Sequence, residues 1–307
     1  MSPLHFSLIV MLLGAGESLP PGDHLRDIKV DGRTRSYLVH IPPQYDSAKP
    51  TPVVLAFHGA GTNAAIMKRY CGLNAKSDQA SFIVVYPNGT GPGNVLQVFN
   101  VGLFNGPIGD RLPNDVVFVD KLLDELPTLV NVDERRIFAT GISNGGMMCY
   151  RLAADLSERI AAIAPVAGAL TVGEYKPKRP VSVIHFHGTA DKLVPVEGRD
   201  KEEMKRLVMQ SLDDTIKTWI KLDGCSATPI LLDLPDCAKD GTQVQRLTYG
   251  PGTGGAEVVV YLIKDGGHTW PGTPLRADFL GTTCQDISAN DLMWDFFQRH
   301  PLDLKDD

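Results

Sequence analysis

Apolar residues along this chain fall into short unbroken runs separated by stretches of helical period. Residues 52–57, 82–86, 160–166, 181–186 and 257–263 are nearly continuous apolar runs. Such runs predict strands buried on both faces, the mark of a parallel sheet covered by helices. Residues 35–41 alternate instead and stop at Pro42-Pro43, as a half-exposed strand would. Between these runs, residues 63–74 are helix-compatible, and Asn114-Asp115 caps a helix reaching about Val130. Residues 200–222 are amphipathic through Met204, Leu207, Val208, Leu212, Ile216 and Trp219. A last helix, capped by Asp286 or Ser288, carries Leu292, Met293, Trp294, Phe296 and Phe297. The pattern predicts an α/β fold with a mostly parallel central sheet and helices on both faces. With no internal repeat or linker-like tract, residues 17–307 read as one domain.

One stretch carries a chemical signature. Residues 136–148 read R-I-F-A-T-G-I-S-N-G-G-M-M, a β-prone run, then G-x-S-x-G, then helix-compatible residues through Leu156. Strand, tight turn and helix in that order make the context of a nucleophile elbow with Ser143 at its apex. Gly141 and Gly145 flank it where side chains would collide, and the helix N-terminus favours negative charge forming nearby.

A serine hydroxyl needs a base within hydrogen-bond reach and an acid to orient that base. Residues 181–186 run into His187-Gly188-Thr189-Ala190-Asp191, and residues 257–263 run into Gly266-Gly267-His268-Thr269-Trp270. The order Ser143, Asp191, His268 is that of the α/β-hydrolases, each residue lying just past the carboxyl end of a strand. The oxyanion needs two N–H donors. One is expected from Asn144, directly after the serine, and the other from Ala60 in the turn after residues 52–57, with Gly61 as the fallback. His58 and His187 read as loop-stabilising histidines.

Residues 88–113 are rich in Gly, Asn and Pro, with Val98, Phe99, Val101, Leu103 and Phe104 interspersed. A loop that long reads either as a cleft wall or as packed surface. Phe99 and Trp270 are candidates for an aromatic or polyester subsite, and equally for packing.

Composition narrows the picture. The 307 residues are 43% hydrophobic and 21% charged, ordinary for a globular protein, and the formal charge of −6 argues against a nucleic-acid partner. No apolar run approaches the ~18 residues that span a bilayer. There is no metal-ligand spacing and no phosphate-binding loop, so neither metal nor cofactor is expected. Residues 8–13 followed by Gly14-Ala15-Gly16 resemble a signal-peptide core and cleavage site over residues 1–16, predicting a secreted or periplasmic protein, although no Lys or Arg precedes the run. Of five cysteines, Cys149 reads as a buried thiol, Cys225 and Cys237 are close enough to close a short loop, and Cys71 and Cys284 carry no pattern.

G-I-S-N-G-G-M-M, H-G-T-A-D-K-L-V-P and G-G-H-T-W-P-G together resemble the bacterial family of secreted esterases that groups feruloyl esterases with poly(3-hydroxybutyrate) depolymerases. The likeness runs over residues 35–300 and includes P-N-G-T-G and the closing D-I-S-A-N-D-L-M-W-D-F-F. It implies Ser143 as nucleophile, Asp191 as acid and His268 as base. Phe99-Asn100 stands where the family suggests Trp-Asn. The reading is a cofactor-free serine carboxylic ester hydrolase. Hydroxycinnamoyl esters of plant polysaccharide are the favoured substrate, polyester or short-chain esters the alternative. Acyl transfer by the same residues is the competing chemistry.

Overall fold

The structure is a computed structural model that describes residues 18–92, 95–103, 111–171, 174–199, 209–274 and 277–303. The expected leader lies outside these residues, as do parts of the 88–113 loop and of the 200–222 segment.

One ten-stranded sheet runs through the described residues. A hairpin opens it: β1 (Gly22–Val30) and β2 (Arg33–Ile41) pair antiparallel across Asp31-Gly32, both at positive φ as a two-residue hairpin turn requires. β3 (Thr51–Phe57) and β4 (Ile83–Pro87) follow, with β2 antiparallel to β4. Then come β5 (Val132–Ile142), β6 (Ala162–Val166), β7 (Ser182–Gly188), β8 (Ile230–Asp233), β9 (Gln243–Tyr249) and β10 (Val258–Lys264). The spatial order is β1-β2-β4-β3-β5-β6-β7-β10-β9-β8. The six strands from β4 to β10 are parallel, and antiparallel pairs flank them on both sides.

Alternate residues of the central strands feed opposite faces, as period-two geometry demands. Val53, Leu55 and Phe57 of β3 join a core with α3 (Asp115–Leu129), α4 (Asn144–Asp155) and α5 (Leu212–Asp223). Val54 and Ala56 join the other, with α1 (Ala64–Cys71), α2 (Leu73–Ala80) and α6 (Ala289–Arg299).

Several boundaries differ from the sequence reading. The helix expected over residues 63–74 is broken at Gly72, whose φ of 65° ends α1, and the chain restarts as α2. Asn114 alone caps α3; Asp115 is turned inward instead, paired with the buried Arg35 and accepting the Asn100 N–H. Ser288, not Asp286, caps α6, and Asp286 takes the N–H groups of Cys237 and Ala238. All five cysteines, Cys225 and Cys237 included, are free thiols. The sequence reading does not include β1 and β8, the edges of the sheet, or β9 between β8 and β10.

Candidate active site

The elbow is built by backbone crowding. Ser143 stands between β5 and α4 at φ 59°, ψ −122°, a region that costs a non-glycine residue about 1–3 kcal/mol. Two hydrogen bonds hold it there: its N–H donates to the Val166 carbonyl (2.9 Å), and its carbonyl accepts the Met147 N–H (2.9 Å). Glycine is required on either side. A Cβ at Gly141 would lie 2.7 Å from the Phe57 carbonyl oxygen, and one at Gly145 only 2.2 Å from it. The serine is thereby left half-buried at the carboxyl edge of the sheet.

Asp191 and His268 meet at the same edge, past the ends of β7 and β10. His268 Nδ1 donates to Asp191 Oδ2 at 2.7 Å, with both residues 4% exposed. The other carboxylate oxygen accepts the N–H groups of Leu193 and Val194, each at 2.8 Å. Burial works against the Asp191 charge, yet the hydrogen bond and charge of His268, with the Val194 N–H, hold its pKa below the usual carboxylate value. Because the carboxylate can only accept, the proton sits on Nδ1 and leaves Nε2 as the free basic nitrogen. The two loops are tied together by Ala190 N–H, which donates to Gly266 O (2.9 Å), and His268 N–H donates to Leu280 O on the following segment (2.7 Å). A side chain at Gly188 would meet Gly266 O at 2.2 Å, so the acid and base loops touch backbone to backbone.

The loop after β3 abuts the serine. A Cβ built on Gly59 lies 3.5 Å from Ser143 Cβ. Gly61 N–H donates to Gln97 O (2.9 Å), which spends the fallback donor. Ala60 N–H has no acceptor among the described residues. Asn144 opens α4, where an N–H has no intrahelical partner. Both expected oxyanion donors thus lack a partner among the described residues, Asn144 directly after Ser143 and Ala60 on the loop that abuts it. His58 braces this loop. It donates from Nδ1 to Gly59 O and accepts Gly89 N–H at Nε2, and burial lowers its pKa to about 4, so it stays neutral.

The two aromatic candidates are not at the surface. Phe99 is fully buried, edge-on to Phe57 and tilted against His58, and the Asn144 side chain grips its backbone at both N–H (2.7 Å) and carbonyl (3.1 Å). Trp270 is 1% exposed, with its indole N–H donated to Asn290. Both are packing residues, because their rings fill the core beneath the loops and leave no face for substrate. What the sequence reading missed is three exposed apolar side chains on segments that adjoin the site residues. Leu96 approaches the Gly61 position (4.0 Å), Leu193 follows Asp191, and Phe279 sits on the segment holding His268 N–H. All three are exposed, Phe279 at 78%. Single apolar residues in loops carry no sequence signal of this kind. Asp240, Cys284 and Asp286 form the one group of metal-ligand type found among the described residues, also unforeseen. Their carboxylates already accept loop N–H groups, including those of Thr242, Gln285 and Cys237.

These features can be set beside known proteins. The chain is 32% identical over 286 residues to the putative esterase NocK of Nocardia uniformis subsp. tsuyamanensis, covering 88% of this chain and 81% of that protein. The chain belongs to this esterase family, within the α/β-hydrolase superfamily. The esterase is also 27% identical over 269 residues to feruloyl esterase C of Emericella nidulans, covering 86% of this chain and 83% of that one. Residues 73–179 match the prolyl oligopeptidase family. An acetyl xylan esterase from Aspergillus awamori shares the fold with a TM-score of 0.59 at 16% identity, over 89% of this chain and 99% of that one. The esterase is thus a carboxylic ester hydrolase on an α/β-hydrolase fold. No helix among the described residues is long and apolar enough to cross a membrane.

Proposed function

We propose that the esterase cleaves hydroxycinnamoyl esters of plant polysaccharide through an acyl-enzyme on Ser143. The observation that carries the chemistry is the buried Asp191–His268 hydrogen bond at the sheet edge where Ser143 is held strained and accessible. Ser143 Oγ attacks the ester carbonyl while His268 Nε2 takes its proton, and Asp191 stabilises the resulting imidazolium. The N–H groups of Ala60 and Asn144 receive the oxyanion. His268 returns the proton to the departing alcohol. Water then attacks the acyl-enzyme with His268 again as base, releasing the acid. Two observations support an aromatic acyl group: relatives named feruloyl esterase that align over most of the chain, and the exposed apolar side chains of Leu96, Leu193 and Phe279 on segments adjoining the site residues. Export through residues 1–16 fits a polysaccharide substrate, and mass spectrometry of the mature N-terminus tests it.

The test compares methyl ferulate, p-nitrophenyl butyrate and a polyhydroxybutyrate film as substrates for wild type, Ser143→Ala and Phe279→Ala. Ser143→Ala is expected to lose roughly 10⁴-fold or more in kcat on every substrate. Phe279→Ala is expected to raise KM several-fold for ferulate alone. A Ser143→Ala protein with wild-type activity sinks the mechanism. Turnover of butyrate or film without ferulate keeps the mechanism and moves the substrate to polyester or short-chain esters.

A further inference from the structure

Beneath the acid loop lies a run of buried polar side chains that the hydrolytic steps do not use. Tyr150 OH is 2.8 Å from His185 Nδ1, His185 Nε2 is 3.0 Å from His187 Nδ1, and His187 Nε2 is 2.8 Å from the Val194 carbonyl. The two histidines alternate onto one face of β7 and stack at 5.3 Å with an 8° interplanar angle. All three side chains are sealed from solvent.

The direction of every hydrogen bond follows from one end. The Val194 carbonyl can only accept, so His187 Nε2 carries the proton. Desolvation lowers the pKa of both histidines, so each is a neutral ring with one N–H. His187 Nδ1 is then an acceptor, His185 Nε2 must donate to it, and His185 Nδ1 accepts from the Tyr150 phenol. Burial raises the phenol pKa well above its ordinary value, which keeps that proton in place. The string has a single proton order.

It also has a destination. Val194 accepts from His187 through its carbonyl and donates through its N–H to Asp191 Oδ1 (2.8 Å), while Asp191 Oδ2 accepts from His268 (2.7 Å). The His187 N–H further lies 3.6 Å from Asp191 Oδ2, too far for a hydrogen bond but close enough for its dipole to favour the carboxylate. Asp191, His268 and Glu197 are titratable groups that act on His187, and His185 is bonded to it. Tyr150 stands on α4, the helix whose first turn carries the elbow.

We propose that Tyr150, His185 and His187 are positioning residues: a proton-ordered chain from the nucleophile's helix that clamps Val194, and through it aims Asp191 at His268. The inference rests on the reading of Ser143, Asp191 and His268 given above. Its effect is on the reacting geometry, so it acts on kcat and leaves ester binding alone.

The experiment measures kcat and KM on p-nitrophenyl butyrate for wild type, His187→Leu, His187→Gln and Tyr150→Phe, with Ser143→Ala as the control on the mechanism itself. A glutamine places its amide N–H near the His187 Nε2 position and can still reach the Val194 carbonyl, whereas leucine cannot. His187→Leu is expected to lose roughly 10- to 100-fold in kcat with KM within about twofold. His187→Gln recovers most of that loss. Tyr150→Phe, which removes one O–H and little volume, loses a few-fold in kcat and folds normally. The far-downfield proton resonance of the Asp191–His268 hydrogen bond weakens in His187→Leu and persists in His187→Gln. The proposal is overturned if folded His187→Leu keeps wild-type kcat, or if His187→Gln is no better than His187→Leu. It is also overturned if His187→Leu is unfolded and Tyr150→Phe keeps wild-type kcat with an unchanged resonance. An active Ser143→Ala would instead refute the underlying mechanism, a separable result.

Discussion

Gly145 is the point where α4 presses hardest on the loop after β3, and it offers a quantitative test of the elbow. A Cβ added there would lie 2.2 Å from the Phe57 carbonyl oxygen, 2.6 Å from its carbon and 2.8 Å from the His58 carbonyl oxygen. The first distance is about 1.2 Å inside the 3.4 Å at which ordinary contact begins. All three obstacles are backbone atoms, so no side chain can rotate away. In Gly145→Ala the helix gains up to about 1 kcal/mol in propensity, less at this N-terminal position. Overpacking of a rigid site costs about 1–3 kcal/mol. The net expectation is a loss of about 1–2 kcal/mol, or a Tm lower by roughly 1.5–2 °C for each kcal/mol in a protein of this size. Activity should suffer more than stability. The parts forced apart carry Ser143 and Asn144 on one side and Ala60, the proposed second oxyanion donor, on the other, and a 1 Å displacement of reacting groups costs roughly 100-fold. Thermal melts and kcat on p-nitrophenyl butyrate measure both effects. Gly59→Ala is the comparison, since its Cβ would meet Ile142 O and Ser143 Cβ at an ordinary 3.5 Å and should leave Tm unchanged. A Gly145→Ala protein with wild-type kcat would refute the claim that this contact sets the elbow.

Two further changes probe what surrounds the site. Asn144→Leu leaves the buried N–H and carbonyl of Phe99 without partners; at about 1–3 kcal/mol for each unsatisfied group, urea titration should show a loss of about 2–6 kcal/mol, and a loss below about 1 kcal/mol would contradict the assigned bonds. Asp223 is buried under Val181, and desolvation raises its pKa from the ordinary 3.8 to about 7, against the Val181 N–H bond and the Arg179 charge. A folded pKa above the unfolded one means the carboxyl destabilises the fold as pH rises from about 4 through about 7. Asp223→Asn should therefore be more stable than wild type at pH 8, by on the order of 2–4 kcal/mol, and equal to it near pH 4; melting curves that stay parallel across that range would disprove the ionisation.

The chain's own pattern determined the central sheet and pointed to the proposed site residues because both rest on local rules. Unbroken apolar runs identify strands buried on two faces. The proposed nucleophile, acid and base each follow such a strand, so Ser143, Asp191 and His268 could be picked out in order without knowing any distance. Gly141 and Gly145 were legible for the same reason, since a tight turn needs them whatever surrounds it. Tertiary structure decided the rest. Phe99 and Trp270 read equally as subsite or packing residues until the backbone grip of Asn144 and the partner Asn290 are seen to hold them inside. The Tyr150–His185–His187 chain joins residues of a helix and a strand, and no periodicity encodes such a meeting. The outer antiparallel strands β1, β8 and β9 escaped because a strand that packs little against the core has little apolar pattern to reveal. Alternation and spacing specify which atoms can do chemistry; which face of each residue meets solvent is settled only when the loops close over one another.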